Sequence, residues 1–149
     1  MSGEEYIVPL NLPKTQLSLR KINDRIHIRC LIRKKDLVLT PEEWVRQHFV
    51  AYLIESGIGK GRIALQYLLD YNGRTKYADI LVVDEKGNPD ILVEYKAPDV
   101  SISDATLSQA AQYNRQLSVK SILLTNGLNH YEIQLGESFT ITPLSIQID

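Results

Sequence analysis

Asp79, Glu94 and Lys96 place two acids and a cation within a stretch rich in aliphatic residues. If that stretch is extended, successive side chains point to opposite faces, so Glu94 and Lys96 share one face while Val93 and Tyr95 share the other. Asp79 is placed by counting through the intervening turn. A loop over 85–88 sets Asp84 opposite Pro89, and counting back two-for-two sets Asp79 opposite Glu94 and Tyr77 opposite Lys96. Directly opposed Cβ atoms lie roughly 5 Å apart, a separation from which two carboxylates share one ion. A slip of one residue would pair Asp79 with Tyr95 and send the acids to opposite faces. Asp79 and Glu94, with waters, suit Mg²⁺ or Mn²⁺, hard cations that prefer oxygen. Lys96 beside them would orient or help deprotonate an attacking water and stabilise the charge developing on a phosphodiester. Asp90 forms a literal Pro-Asp pair, but it lies four residues before Glu94, about 13 Å along an extended strand, too far to share the ion.

Several elements must position these groups. Residues 17–19 and 25–32 alternate polar and apolar around Asn23-Asp24, which reads as a hairpin. Thr40 is a good N-cap, Pro41 suits the first helical position and Glu43 completes a capping box, so a helix is expected to about Ser56. Its apolar stripe is Trp44, Val45, Phe49, Tyr52 and Leu53. The glycines at 57, 59 and 61 follow a helix and lead into a strand-like run, the reverse of a phosphate loop, so they read as helix termination. Runs over 63–69, 76–83 and 91–97, separated by Asn72-Gly73 and by 85–88, read as an antiparallel meander. Ser103 caps a second helix to about Leu117, with Leu107, Ala110, Ala111 and Leu117 buried. A short strand over 121–125 stops at Asn126-Gly127, and further strands follow over 131–135 and 139–148.

Asp79 followed after a turn by Ile91-Leu92-Val93-Glu94-Tyr95-Lys96-Ala97-Pro98 resembles the PD-(D/E)xK nuclease motif, specifically that of the N-terminal domain of type I restriction enzyme R subunits. The resemblance runs from Arg33-Lys34-Lys35 and from 39–47 through Leu124-Thr125-Asn126-Gly127. It includes a Gln-x-x-x-Tyr pattern matched by Gln109 and Tyr113, which share a helical face. It implies a restriction-endonuclease-like α/β fold, a central mixed and mostly antiparallel sheet flanked by helices, here with an extra N-terminal hairpin and C-terminal strands. It also implies a Mg²⁺-dependent nuclease, with Gln109 supporting the active-site lysine or touching DNA and Glu43 looking toward the same site. Tyr95 stands where related sequences often carry a small residue; pointing away from the acids, it should have no chemical consequence. No Walker motif or helicase motor follows, so a complete ATP-driven restriction subunit is not expected.

At 149 residues the chain is read as one domain over 1–149. The acidic amino terminus and the single Cys30 suggest a cytoplasmic protein, and no apolar stretch reaches membrane-spanning length. A net charge of −1 gives no global attraction to DNA, so contact must be local. Arg20, Lys21, Arg25, Arg29, Arg33, Lys34 and Lys35 form such a cluster, read either as a solvated strand-edge face or as a phosphate-contacting surface; Arg33, Lys34 and Lys35, with Gln109 and Tyr113, are the candidate nucleic-acid contacts. His27, His48 and His130 lack ligand spacing. DNA, separately encoded restriction or repair subunits and a second copy are the expected partners. The alternative readings are a catalytically silent DNA-binding or assembly module on the same scaffold, and a structural protein that dimerises through edge strands.

Overall fold

A computed structural model describes residues 2–71, 73–114, 119–134 and 136–148, with the side chains of 69–71, 74, 76, 113 and 114 outside the description. The Asn23-Asp24 turn forms through left-handed backbone at both residues (φ 51° and 64°), which joins β1 (Leu19–Ile22) to β2 (Arg25–Arg29). A third strand unforeseen from the sequence, β3 (Asp36–Val38), pairs with β2 and completes a three-stranded antiparallel sheet.

Helix α1 (Pro41–Glu55) starts as its sequence dictates, with the Thr40 hydroxyl accepting the Glu43 amide at 3.0 Å. It ends where Gly57 turns left-handed at φ 105° and the Ile58 amide reaches back to the Leu53 carbonyl. The larger sheet has the order β4 (Ile63–Tyr71), β5 (Arg74–Val83), β6 (Pro89–Tyr95), β7 (Ser121–Thr125), β8 (His130–Gln134) and β9 (Thr140–Pro143). All neighbours are antiparallel except β6 and β7, whose parallel pairing is spanned by α2 (Asp104–Asn114). The expected mixed sheet with flanking helices is therefore the observed one. The C-terminal strand is shorter than expected, ending at Pro143 rather than near Ile148. The expectations at Asn72, Leu117 and Leu135 lie outside the described residues.

Two apolar layers hold the sheet. Phe49, Val50 and Leu53 of α1 cover Ile63, Ile80, Val82, Val93 and Leu123. Leu107, Ala110 and Ala111 of α2 cover Leu81, Leu92, Ile122, Leu124 and Ile133, the small alanines letting the helix approach closely. A third cluster, Ile26, Ile28, Leu39 and Trp44, seats the small sheet against the start of α1.

The register of β5 and β6 decides what the acids can do. Ile80 faces Val93, Leu81 faces Leu92 and Val82 faces Ile91, a ladder that stops one row short of Asp79 and Glu94. The turn behind this register differs from the expected one. Val83, not Asp84, faces Pro89, and Asp90 is a bulge that restores the count. Asp84 closes the turn instead: its Oδ1 accepts the Lys86 and Asn88 amides, each at 2.9 Å. Asp90 is turned elsewhere, its carbonyl accepting the Lys120 amide and its carboxylate 3.8 Å from the Lys120 ammonium.

Candidate active site

The ladder between β5 and β6 stops at Ile80 and Val93. Ile80 and Val82 pack under α1, whereas Ala78, two residues earlier, belongs to the α2-side cluster. A regular strand would put all three on one face, so the pleat inverts across Asp79. On β4 the same inversion passes through Gln66, flanked by the pairs Leu65–Ile80 and Tyr67–Ala78 and held at φ 50°, rare for a residue other than glycine. This break frees the Asp79 carboxylate to leave the pleat: its Oδ2 accepts the Tyr95 amide at 3.3 Å. The acid therefore reaches the peptide that joins Glu94 to Tyr95. Asp79, Glu94 and Lys96 are all partly buried. Lys96 follows the last residue of β6, and its amide donates to the Thr125 carbonyl at 2.9 Å, tying it to the end of β7.

That end of β7 is held by a network of side-chain hydrogen bonds from Thr125, Asn126 and His130. Asn126 Oδ1 accepts the Leu128 and Asn129 amides at 2.9 and 2.7 Å, while its amide group donates to the Val100 carbonyl beyond Lys96. The Thr125 hydroxyl accepts the Gly127 amide and meets His130 Nδ1 at 2.6 Å. His130 Nε2 donates to the Asn11 carbonyl, so Nδ1 is the acceptor of a neutral ring, and burial holds its pKa down despite that backbone contact.

On the α1 side a buried polar cluster backs the acid strand. Glu43 does not complete a reciprocal capping box; its carboxylate turns inward, accepting from Arg46 Nε at 2.8 Å and again from Nη2, and from Gln47 Nε2 at 2.7 Å. Gln47 Oε1 in turn accepts the Leu31 amide at 3.0 Å. Arg46 is 3% exposed and Gln47 fully buried. Burial opposes the Arg46 charge, but the hydrogen bonds and charge of Glu43 outweigh it and raise the pKa. Tyr95 belongs to this cluster: burial, with the charges of Asp79 and Glu43 adding, pushes its phenol up to about 12 against the pull of Arg46. Tyr95 is thus not the bystander expected from the pleat. Glu43 holds its place in this cluster through Arg46 and Gln47. No feature of composition singles out Arg46 and Gln47, but their three- and four-residue spacing from Glu43 was a readable signal.

Gln109 is exposed on α2, and the Tyr113 side chain lies outside the described residues. Lys34 and Lys35 are exposed on the turn between β2 and β3, and Arg33 Nη2 donates to Gln66 Oε1 at 2.9 Å.

The family model described as "Type I restriction enzyme R protein N terminus" matches residues 41–144, a span holding Glu43, Asp79, Glu94 and Lys96. The chain belongs to this family. Among solved structures, this R-protein N-terminal chain is similar to a fragment assigned to an HsdR subunit of a type I restriction enzyme from Vibrio vulnificus YJ016, at 22% identity and a TM-score of 0.52. That match covers 72% of this chain and 24% of the other, so the chain spans about a quarter of the fragment's length. It is also similar to a DUF820 protein assigned as a nuclease, from Anabaena variabilis ATCC 29413, at 15% identity and a TM-score of 0.50 over 97% of this chain and 85% of that one. At such identities the likeness is one of fold. No curated protein matches the sequence. Among the described residues no helix is long and apolar enough to cross a membrane.

Proposed function

We propose that this chain, as one domain over 1–149, is a Mg²⁺- or Mn²⁺-dependent nuclease that hydrolyses DNA phosphodiester bonds at Asp79, Glu94 and Lys96. The observation that carries this reading is the broken pleat, which sends the Asp79 carboxylate to the peptide following Glu94. The donor set fits a hard divalent ion. No group of three or more His, Cys, Asp or Glu able to hold a metal occurs among the described residues, so Asp79 and Glu94 would supply two oxygens and water the rest. Mg²⁺ keeps several waters in this way. Bound there, the ion would supply Lewis acidity and a more acidic water.

The chain's own groups do the remainder. Asp79 is oriented by the Tyr95 amide, and Glu94 is oriented by a strand paired on both sides. Lys96 would orient the attacking water or help deprotonate it, and would meet the negative charge that grows on the phosphoryl oxygens. Glu43 acts indirectly, by charging and fixing Arg46 behind Tyr95. Arg33, Lys34 and Lys35 would contact phosphates; Gln109 and Tyr113 remain DNA contacts in this reading, Gln109 from its exposed position. The protein would work in the cytoplasm with separately encoded restriction or repair subunits, and cutting both strands of a duplex would favour a homodimer.

Incubating the protein with single-stranded and duplex DNA and Mg²⁺ or Mn²⁺ tests the proposal. Cleavage lost on adding EDTA, and reduced at least about a hundredfold in Lys96→Ala, is expected. Cleavage untouched by Lys96→Ala removes that residue from the mechanism. A second reading, a silent DNA-binding or assembly module, is favoured by the exposed Lys34 and Lys35; salt-dependent binding without cleavage would select it.

A further inference from the structure

The β4–β5 hairpin carries large exposed side chains. Tyr77 is 66% exposed, its cross-strand partner Leu68 49% and the neighbouring Tyr67 48%. Tyr77 precedes Asp79 by two residues, about 7 Å along the strand. Gln66, at the register position of Asp79, holds a left-handed backbone and binds the Arg33 guanidinium, and Lys34 in the same basic turn is left-handed as well, at φ 56°. Such conformations persist only where the surroundings enforce them. The turn is closed by the Lys34 amide on the Cys30 carbonyl and the Cys30 amide on the Lys35 carbonyl.

The basic residues divide into two groups. Arg20 and Arg29 lie near Asp36, and Lys21 near Glu4, so those charges are partly neutralised. Arg33, Lys34 and Lys35 have no salt-bridge partner among the described residues. Arg33 also keeps donors beyond the one given to Gln66, in the planar fork that matches phosphate.

We propose that this hairpin seats an unpaired nucleic-acid strand beside the acid pair, with a base stacked on Tyr77 and the flanking phosphates held by Arg33, Lys34 and Lys35. The inference rests on the nuclease reading and narrows its substrate to single-stranded or frayed DNA. Aromatic faces beside a basic track are how proteins hold single strands, whereas a paired base offers Tyr77 no face on which to stack.

The test is fluorescence anisotropy in EDTA, with a labelled single strand of about 16 nucleotides and its duplex. Wild-type protein should prefer the single strand. Tyr77→Ala should weaken single-strand binding about tenfold and leave duplex binding nearly unchanged, with Tyr77→Phe restoring it. The double variant Lys34→Gln, Lys35→Gln should weaken both probes and lower the salt slope by about 2. Equal affinity for both probes, or a Tyr77→Ala loss equal for both, overturns the proposal. So does light scattering that shows a dimer abolished by Tyr77→Ala. Because no metal is present, Tyr77-dependent single-strand binding without cleavage activity would sink the nuclease reading alone, and cleavage of plain duplex indifferent to Tyr77 would sink only this inference.

Discussion

The two flanks of the Asp79 row are held by opposite means. Behind it, under α1, Glu43, Arg46, Gln47 and Tyr95 form a buried cluster in which the Glu43 carboxylate serves three donors. Beside it, on β4 and β5, the backbone at Gln66 is left-handed and aromatic side chains lie open to solvent. The first flank contributes rigidity to the strand that carries Glu94. The second holds strain at the edge where a substrate would arrive. Substitutions should therefore have opposite signs on the two flanks, and stability measurements can separate them.

The largest effect is expected at Arg46. Replacing it with Met leaves the Glu43 carboxylate buried without its cation, which should cost about 3–5 kcal/mol by urea unfolding. A loss under about 1 kcal/mol would mean that the cluster backs nothing. Next comes Gly127→Ala. Gly127 has φ 87°, and an added Cβ would lie 2.8 Å from Leu10 Cδ2 and 3.1 Å from Val45 Cγ2, so about 2 kcal/mol should be lost. The pH dependence sharpens the same flank. Burial lowers the pKa of His130 and His48 below 6.5, so the unfolded chain binds more protons there. Stability should be full above 6.5 and decline as pH falls through the lowered folded values, and replacing both histidines with Gln should flatten this slope in a thermal melt. The smallest effect carries the opposite sign. Gln66→Gly should stabilise the protein by about 0.5–1 kcal/mol through relief of the left-handed strain, while weakening nucleic-acid binding because Arg33 loses its anchor. Destabilisation by Gln66→Gly would show that the second flank holds no strain.

Much of the fold was legible because local signals agreed with one another. Thr40-Pro41 and Ser103 marked helix starts, Asn23-Asp24 a tight turn, and alternation the strands. The register of β5 against β6 was also legible as far as Ile80 and Val93, although its turn was not: the shorter turn closed by Asp84 and the bulge at Asp90 cancel in the count. The inverted pleat at Asp79 was hidden, because a left-handed Gln66 leaves no mark in a sequence where glycine would have announced it. The role of Glu43 was obscured by its position three residues after Thr40, which a capping box explains equally well. Arg46 and Gln47 lie outside the apolar stripe of α1, and only the packing of α1 on the sheet reveals that they are buried.

The proposed site is tested most directly by crystals grown with Mg²⁺, or with Mn²⁺ in its place to give an anomalous signal. The account predicts one ion bound by carboxylate oxygens of both Asp79 and Glu94, about 2.1 Å away in the Mg²⁺ case, and lost in Asp79→Asn. An ordered site without such an ion at saturating metal, or an ion that ignores either acid, would contradict it.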